Sequence, residues 1–237
     1  MKNYLSFGAG VNSVALYLLM ETLGIEFEAV FVDHGADWPE TYEYVNYFVS
    51  TGRKLTILTP EYRGHTTLLG YCQEKRITPN RMRRWCTDQF KIRPFQKYVK
   101  SPCFVHLGID AGEVKRAKLS SKGGLENRYL LIELDIAREG CEKMIQDAGL
   151  RIPMKSGCWF CPFQRRSQWR QLRRLHPDLY CAAQNLEKNE NESRRERGKK
   201  PFFTLGNNIS LGKFINDKQY ALLGMEEIEY PPCHCGL

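Results

Sequence analysis

The stretch that most constrains this chain is Ser6 to Ser13, S-F-G-A-G-V-N-S, set between the apolar Tyr4 and Leu5 and the run V-A-L-Y-L-L-M. A glycine-bearing turn between a strand and a helix exposes backbone N–H groups at the positive end of the helix dipole, and that combination suits phosphate. Gly8 and Gly10 admit a phosphate where a Cβ would stand, while Ser6 and Ser13 add hydroxyl groups. The expected ligand is therefore a nucleotide, held by Ser6, Phe7, Gly8, Ala9, Gly10, Val11, Asn12 and Ser13. A start of this kind also commits the chain to an α/β sheet.

Strand-like and helix-like segments alternate after it. Strands are expected at Asn3–Ser6, Glu28–Val32, Lys54–Leu58, Phe104–Ile109 and Tyr129–Leu134, and helices at Val11–Leu23, Pro39–Ser50, Asp88–Val99 and Ala137–Ala148. This order implies a doubly wound, mainly parallel five-stranded sheet in residues 1–152. After Pro153 the pattern turns to cysteine, arginine and helix, so residues 153–237 are expected to form a helical, cysteine-bearing C-terminal region. No apolar run reaches membrane-spanning length and the N-terminus lacks a greasy leader, which points to a cytoplasmic chain without membrane contact.

Nine cysteines, an odd count in a chain read as unexported, argue against a disulfide framework and for thiolate or metal chemistry. Cys72, Cys103, Cys141 and Cys181 read as buried free thiols. Cys158-Trp-Phe-Cys161 has C-x-x-C spacing, Cys86 follows a basic run, and Cys233-His234-Cys235 lies near the C-terminus. The C-x-x-C spacing alone serves zinc, an iron–sulfur cluster or a redox dithiol equally well.

The net charge of +8 is uneven: between Arg63 and Lys100 ten cations face two acids, Glu74 and Asp88. Such a segment attracts polyanions and makes a nucleic-acid acceptor a candidate partner. The mixed charges of Glu187 to Lys200 read as a solvated helix face.

Two readings of the opening loop compete. Gly8-Ala9-Gly10-Val11-Asn12-Ser13 with Asp33 fits a dinucleotide fingerprint whose third glycine is serine. The other reading uses more of the chain. Ser6–Ser13 resembles the S-G-G-x-D-S pyrophosphate loop of the adenine-nucleotide α-hydrolase-like superfamily, in its PAPS (3′-phosphoadenosine 5′-phosphosulfate) reductase branch. Val30–Tyr44, V-F-V-D-H-G-A-D-W-P-E-T-Y-E-Y, is similar to that family's D-T-G-x-x-x-P-E-T element. Arg84–Phe95 is similar to its C-T-x-x-x-K-x-x-P segment, and Leu107–Ala117 to its G-I-R-x-x-E-x-x-R-A loop. Ser156–Phe163, S-G-C-W-F-C-P-F, resembles the S-G-C-x-x-C-P element of phage and bacterial members. The departures are Asn12 for the loop aspartate, His34 for threonine and Asp110 for arginine.

The resemblance implies a Rossmann-like nucleotide fold binding ATP or PAPS, with Asp33, His34, Gly108 and Glu113 joining the loop and a magnesium ion accompanying the phosphates. Lys91 and Arg116 are then candidates to neutralise developing charge, although Glu113 and Arg116 fit a structural i,i+3 ion pair equally well. It also implies a [4Fe-4S] cluster, with zinc as the alternative, on Cys86, Cys158, Cys161, Cys233 and Cys235. Two chemistries follow: adenylation of a substrate by ATP for cluster-assisted sulfur transfer, or reduction of PAPS or its unphosphorylated analogue. In the reductase reading Cys235 is the nucleophile and a thioredoxin-like partner the reductant. A non-catalytic nucleotide-binding module is the third reading. The sequence leaves the oligomeric state open.

Overall fold

The computed structural model describes residues 1–118, 122–206 and 209–214. The tail with Cys233, His234 and Cys235 lies outside the described residues. The first half builds β1 (Lys2–Ser6), α1 (Val11–Thr22), β2 (Glu28–Val32), α2 (Pro39–Ser50), β3 (Thr56–Leu58) and α3 (Leu68–Lys75). Then come α4 (Trp85–Thr87), a π turn (Asp88–Ile92), α5 (Arg93–Tyr98) and β4 (Cys103–Leu107). 3₁₀ turns (Ala111–Arg116 and Lys122–Gly124), β5 (Leu125–Arg128), α6 (Leu130–Glu133), α7 (Arg138–Asp147), α8 (Arg166–Leu175), α9 (Pro177–Glu196) and a last 3₁₀ turn (Leu211–Lys213) follow.

The strands form one five-stranded sheet, all parallel, in the order β3-β2-β1-β4-β5. The chain thus winds outward in one direction from β1 and resumes on its other side at β4, and the strand pair β1/β4 marks the reversal. Ser6 is in register with Val30 on one side and Leu107 on the other, so the loop leaves the sheet at its centre.

Alternation along the strands sends side chains to two cores. Leu5, Ala29 and Phe31 pack with α1, α2 and α7 residues such as Leu16, Phe48 and Ile145; Tyr4, Val30 and Val32 pack with Phe95, Val99 and Val105 on the other face. Helix α1 is apolar almost all round because it is enclosed, with Val14, Ala15, Leu16 and Met20 fully buried. It stops at Gly24, whose positive φ supports the bonds from Gly24 N to Glu21 O and Ile25 N to Met20 O. A third core joins Trp38, Leu68, Tyr71 and Phe90 to Trp159, Trp169, Leu172 and Tyr180, so it draws on residues from both sides of Pro153.

Four local expectations are corrected. Tyr129–Leu134 is not a strand: β5 lies just before it, and Leu130–Glu133 coil into α6, where the Glu133 carboxylate accepts from Arg128 and from Tyr129 N. The single helix expected over Asp88–Val99 opens with a π turn, because Pro94 has no N–H to continue the i→i−4 ladder and Arg93 N bonds instead to Asp88 O. The acidic residues of α9 are not all solvated. Glu187 accepts from Thr204 N and Leu211 N at 2.8 and 2.9 Å, and Glu190 accepts from Thr78 N at 2.7 Å, both carboxylates being buried. The helix packs against irregular segments whose N–H groups have no strand or helix to bond. Finally, Cys181 is exposed, whereas Cys72, Cys103 and Cys141 are buried and burial raises all three thiols, Cys141 to about 12. Among the described residues no helix is long and apolar enough to cross a membrane.

Candidate functional site

A cleft of about 980 Å³ opens at the carboxyl ends of β1 and β4. This is the switch point of the sheet, where open α/β folds bind ligands. Its floor is the opening loop: Ser6, Phe7, Gly8, Gly10, Val11, Asn12 and Ser13 all line it. Ser13 Oγ accepts from Gly10 N and donates to Gly10 O, which pins the turn to the first turn of α1. Ala9 holds a left-handed backbone, φ 52°, beneath the loop and is buried.

Gly108, directly after β4, is required by contact. A Cβ there would stand 2.8 Å from Ser13 N and 3.0 Å from the Asn12 carbonyl carbon. Gly10 faces the opposite wall, where a Cβ would meet Ser156 Oγ at 2.9 Å. The two glycines let β4 and the segment before Cys158 close on the loop from both sides.

Asn12 and Asp110, two departures from the resemblance, are partners: Asn12 Nδ2 donates to Asp110 Oδ2 at 2.8 Å and to Glu113 Oε2 at 3.3 Å. Asn12 Oδ1 is buried with no hydrogen-bond partner among the described residues. Glu113 and Arg116 form a close ion pair on the 3₁₀ turn, and both line the cleft, so the pair is a structural tie and part of the wall together. The remaining wall is cationic, with Lys91, Arg138, Lys155 and Arg165 beside Arg116. Lys91 comes from the π turn.

Two expected nucleotide residues lie elsewhere. Asp33 Oδ1 accepts from Gly35 N at 2.8 Å and from the Tyr42 hydroxyl at 2.9 Å, closing the turn after β2. His34 is buried behind the cleft wall, with Nε2 3.4 Å from Asp37 Oδ1 and 3.7 Å from Cys158 Sγ. Lys91 Nζ stands 3.5 Å from the same Asp37 oxygen. Burial would raise the Asp37 carboxyl, but the Lys91 ammonium and the His34 imidazole override it and hold the group well below the usual carboxylate range.

Of the five expected metal ligands, Cys86, Cys158 and Cys161 are described. Their segments meet: Arg81 Nε donates to Pro162 O at 2.8 Å, Arg84 lies over the Phe163 ring, and Cys86 and Cys158 pack against one core. Among the described residues, the one group of three or more metal-ligating side chains whose ligand atoms all lie within 4.8 Å of one another is His34, Asp37 and Cys158. Cys86 and Cys161 stand outside that group of single-ion dimensions, and the donors gathered at Cys158 within it are nitrogen and oxygen.

Much of the basic segment is used internally. Arg76 forks onto Glu196, Arg81 ties to Pro162 and Thr204, and Arg93 bonds Asp88. Sequence reading missed Asp110, Arg138, Lys155, Ser156 and Arg165 as cleft residues. Ser156 belonged to a motif read only for its cysteines, and Arg138 carried no local signal at all.

No protein-family model matches the chain. By sequence it is similar to an uncharacterized protein of Methanocaldococcus jannaschii, 24% identical over 200 residues, which are 76% of this chain and 46% of that protein. The chain thus spans about half the length of that relative. By structure it is similar to phosphoadenylyl-sulfate (PAPS) reductase from Candida auris, solved as a phosphate complex, with a TM-score of 0.50 and 14% identity over 67% of this chain and 82% of that one. The doubly wound α/β fold is shared with that enzyme.

Proposed function

We propose that this protein binds an adenine nucleotide across the β1/β4 cleft and uses ATP to adenylate an acceptor. The observation that carries the reading is the enclosure of the opening loop: Gly108 and Gly10 bring two walls onto it while five cations, Lys91, Arg116, Arg138, Lys155 and Arg165, line the same space. A triphosphate is the ligand class that such a charge surplus over a glycine turn favours. The fold shared with an enzyme named for a phosphosulfate nucleotide supports the adenine assignment.

In this reading the loop N–H groups hold the β- and γ-phosphates, and an acceptor oxygen attacks the α-phosphorus. The bond from that phosphorus to the α,β-bridging oxygen breaks, and pyrophosphate leaves with the electron pair. Lys91 and Arg116 neutralise the charge that moves onto the departing oxygens. Sulfide then attacks the activated carbon, the carbon–oxygen bond breaks, AMP departs with the oxygen and the electron pair, and the acceptor is left with a thiol. Asp110 and Glu113, whose carboxylates the Asn12 amide bridges at the cleft, would offer the oxygen ligands that magnesium prefers when it accompanies the nucleotide.

The test is titration calorimetry with ATP, PAPS and NAD, followed by pyrophosphate release across a panel of nucleic-acid and small-molecule acceptors. Saturable ATP binding that Gly10→Val abolishes, with acceptor-dependent pyrophosphate release, is the expected result. Tight NAD binding overturns the reading in favour of a dinucleotide enzyme. Sulfite release from PAPS with thioredoxin replaces adenylation by reduction.

A further inference from the structure

Behind the cleft wall lies a second group of chemical side chains that nucleotide binding does not use. His34, Asp37 and Cys158 come from two segments that are stitched together by their backbones: Trp38 N donates to Gly157 O at 3.1 Å and Trp159 N to Ala36 O at 3.0 Å. This pairing fixes Asp37 opposite Cys158 before any ligand arrives.

Two edges of the group have the dimensions of one ion, and all three ligand atoms lie within 4.8 Å of one another. For zinc with nitrogen and oxygen at about 2.0–2.1 Å and sulfur at about 2.3 Å, tetrahedral geometry puts nitrogen and sulfur about 3.6 Å apart, and nitrogen and oxygen about 3.3 Å apart. The observed separations are 3.7 Å from His34 Nε2 to Cys158 Sγ and 3.4 Å from His34 Nε2 to Asp37 Oδ1. Both exceed the ideal edges by about 0.1 Å, well inside the tolerance of a metal site.

Two polar atoms of His34 and Asp37 make no hydrogen bond among the described residues, although Asp37 Oδ1 has the Lys91 ammonium at 3.5 Å. Asp37 Oδ1 and His34 Nδ1 are buried without a hydrogen bond among the described residues, in side chains that are 3% and 1% exposed. A buried imidazole with no bond on Nδ1 and only long contacts on Nε2 is under-satisfied on both nitrogens, as is the carboxylate facing it. A divalent cation supplies the missing partner. Its charge balances the carboxylate and the thiolate that would hold it, with the Lys91 ammonium 3.5 Å from Asp37 Oδ1 as a further cation at the edge of the site.

We infer that His34, Asp37 and Cys158 bind one zinc ion. A zinc ion here would compete for Cys158 with the cluster that the resemblance implies. Binding expels the thiol proton to solvent as the sulfur–metal bond forms. Three protein ligands leave one tetrahedral position for water or a sulfur ligand, the arrangement of zinc sites that perform chemistry. The position is apt for such work, since Lys91, Trp38 and Gly157 line the nucleotide cleft while standing next to the trio.

The experiment is elemental analysis and zinc-edge X-ray absorption of the full chain after zinc loading, with no nucleotide present. One zinc per chain, with a single sulfur neighbour at about 2.3 Å and nitrogen or oxygen neighbours at about 2.0–2.1 Å, is the expected result. Cys158→Ser and His34→Gln should each weaken zinc affinity tenfold or more, while Cys86→Ser and Cys161→Ser leave it unchanged. Three or more sulfur neighbours, co-purified iron with inorganic sulfide, failure of the apoprotein to take up zinc, or full retention in Cys158→Ser overturns the assignment. The absorption spectrum is read on the unaltered chain, so a misfolded variant does not decide the matter. Failure of ATP binding leaves this outcome untouched, and the two readings fall separately.

Discussion

Asn12 Nδ2 and Asp110 Oδ2 are hydrogen-bonded at 2.8 Å, joining the nucleotide loop to the turn after β4. Each residue alone is a departure from the resemblance, and together they are one contact. An aspartate at 12 would face Asp110 and Glu113, and a trio of carboxylates at this spacing cannot all remain ionised. The amide is the residue that Asp110 permits.

Asn12→Asp is therefore expected to destabilise the fold by about 1–3 kcal/mol at neutral pH and to weaken ATP binding. Adding Asp110→Arg should recover most of the loss, because the carboxylate then faces a guanidinium. A double-mutant cycle by urea denaturation measures the coupling. A value near zero would show that the two positions are independent.

Gly108→Ala should separate β4 from α1. The new methyl meets backbone at 2.8 and 3.0 Å, and neither strand nor helix can yield as a flexible side chain would. The expected cost is about 1–3 kcal/mol, with a larger fractional loss of ATP affinity as the loop moves away from the wall. Thermal unfolding and calorimetry on the same sample read both.

Glu187→Ala leaves Thr204 N and Leu211 N without their acceptor. A loss of about 3 kcal/mol is expected, since each buried unsatisfied N–H costs on the order of 1–3 kcal/mol. Glu187→Gln keeps one acceptor oxygen and should lose less. Equal stability of all three chains in urea would contradict the buried role of the carboxylate.

His106 gives the fold an acid limit. Burial, helped by the Arg128 cation and opposed by Glu133, lowers its pKa to about 4, while Nε2 sits 3.0 Å from Asn3 Oδ1. The unfolded imidazole titrates near about 6.5, so the unfolded chain binds the extra proton first. Stability from this group is complete above about pH 6.5 and is lost as pH falls toward about 4. The melting temperature of His106→Gln should fall less across that window than that of the unaltered chain.

The strands and the site were unequally legible. β1, β2, α1 and α2 are readable because local pattern and burial agree: short apolar stretches for the strands, a proline at the first turn of α2, a glycine after the end of α1. Tyr129–Leu134 misleads because a short, mostly apolar run broken only by Glu133 serves a buried strand and a buried helical turn alike. Glu187 and Glu190 looked like surface charge because the N–H groups they satisfy lie in remote segments.

The sequence by itself determined the phosphate-binding turn, the alternation that makes a doubly wound sheet and the identity of the cysteines, since these depend on residues close together in the chain. Only the tertiary structure decided the company those residues keep. It joined Asn12 to Asp110 across 98 positions and drew Lys91 to the cleft from a π turn set by Pro94. It also set Cys158 beside His34 and Asp37. The physical reason is that chain neighbours are fixed by local geometry, whereas partners in a site are chosen by how strands order and loops close, which no short stretch encodes.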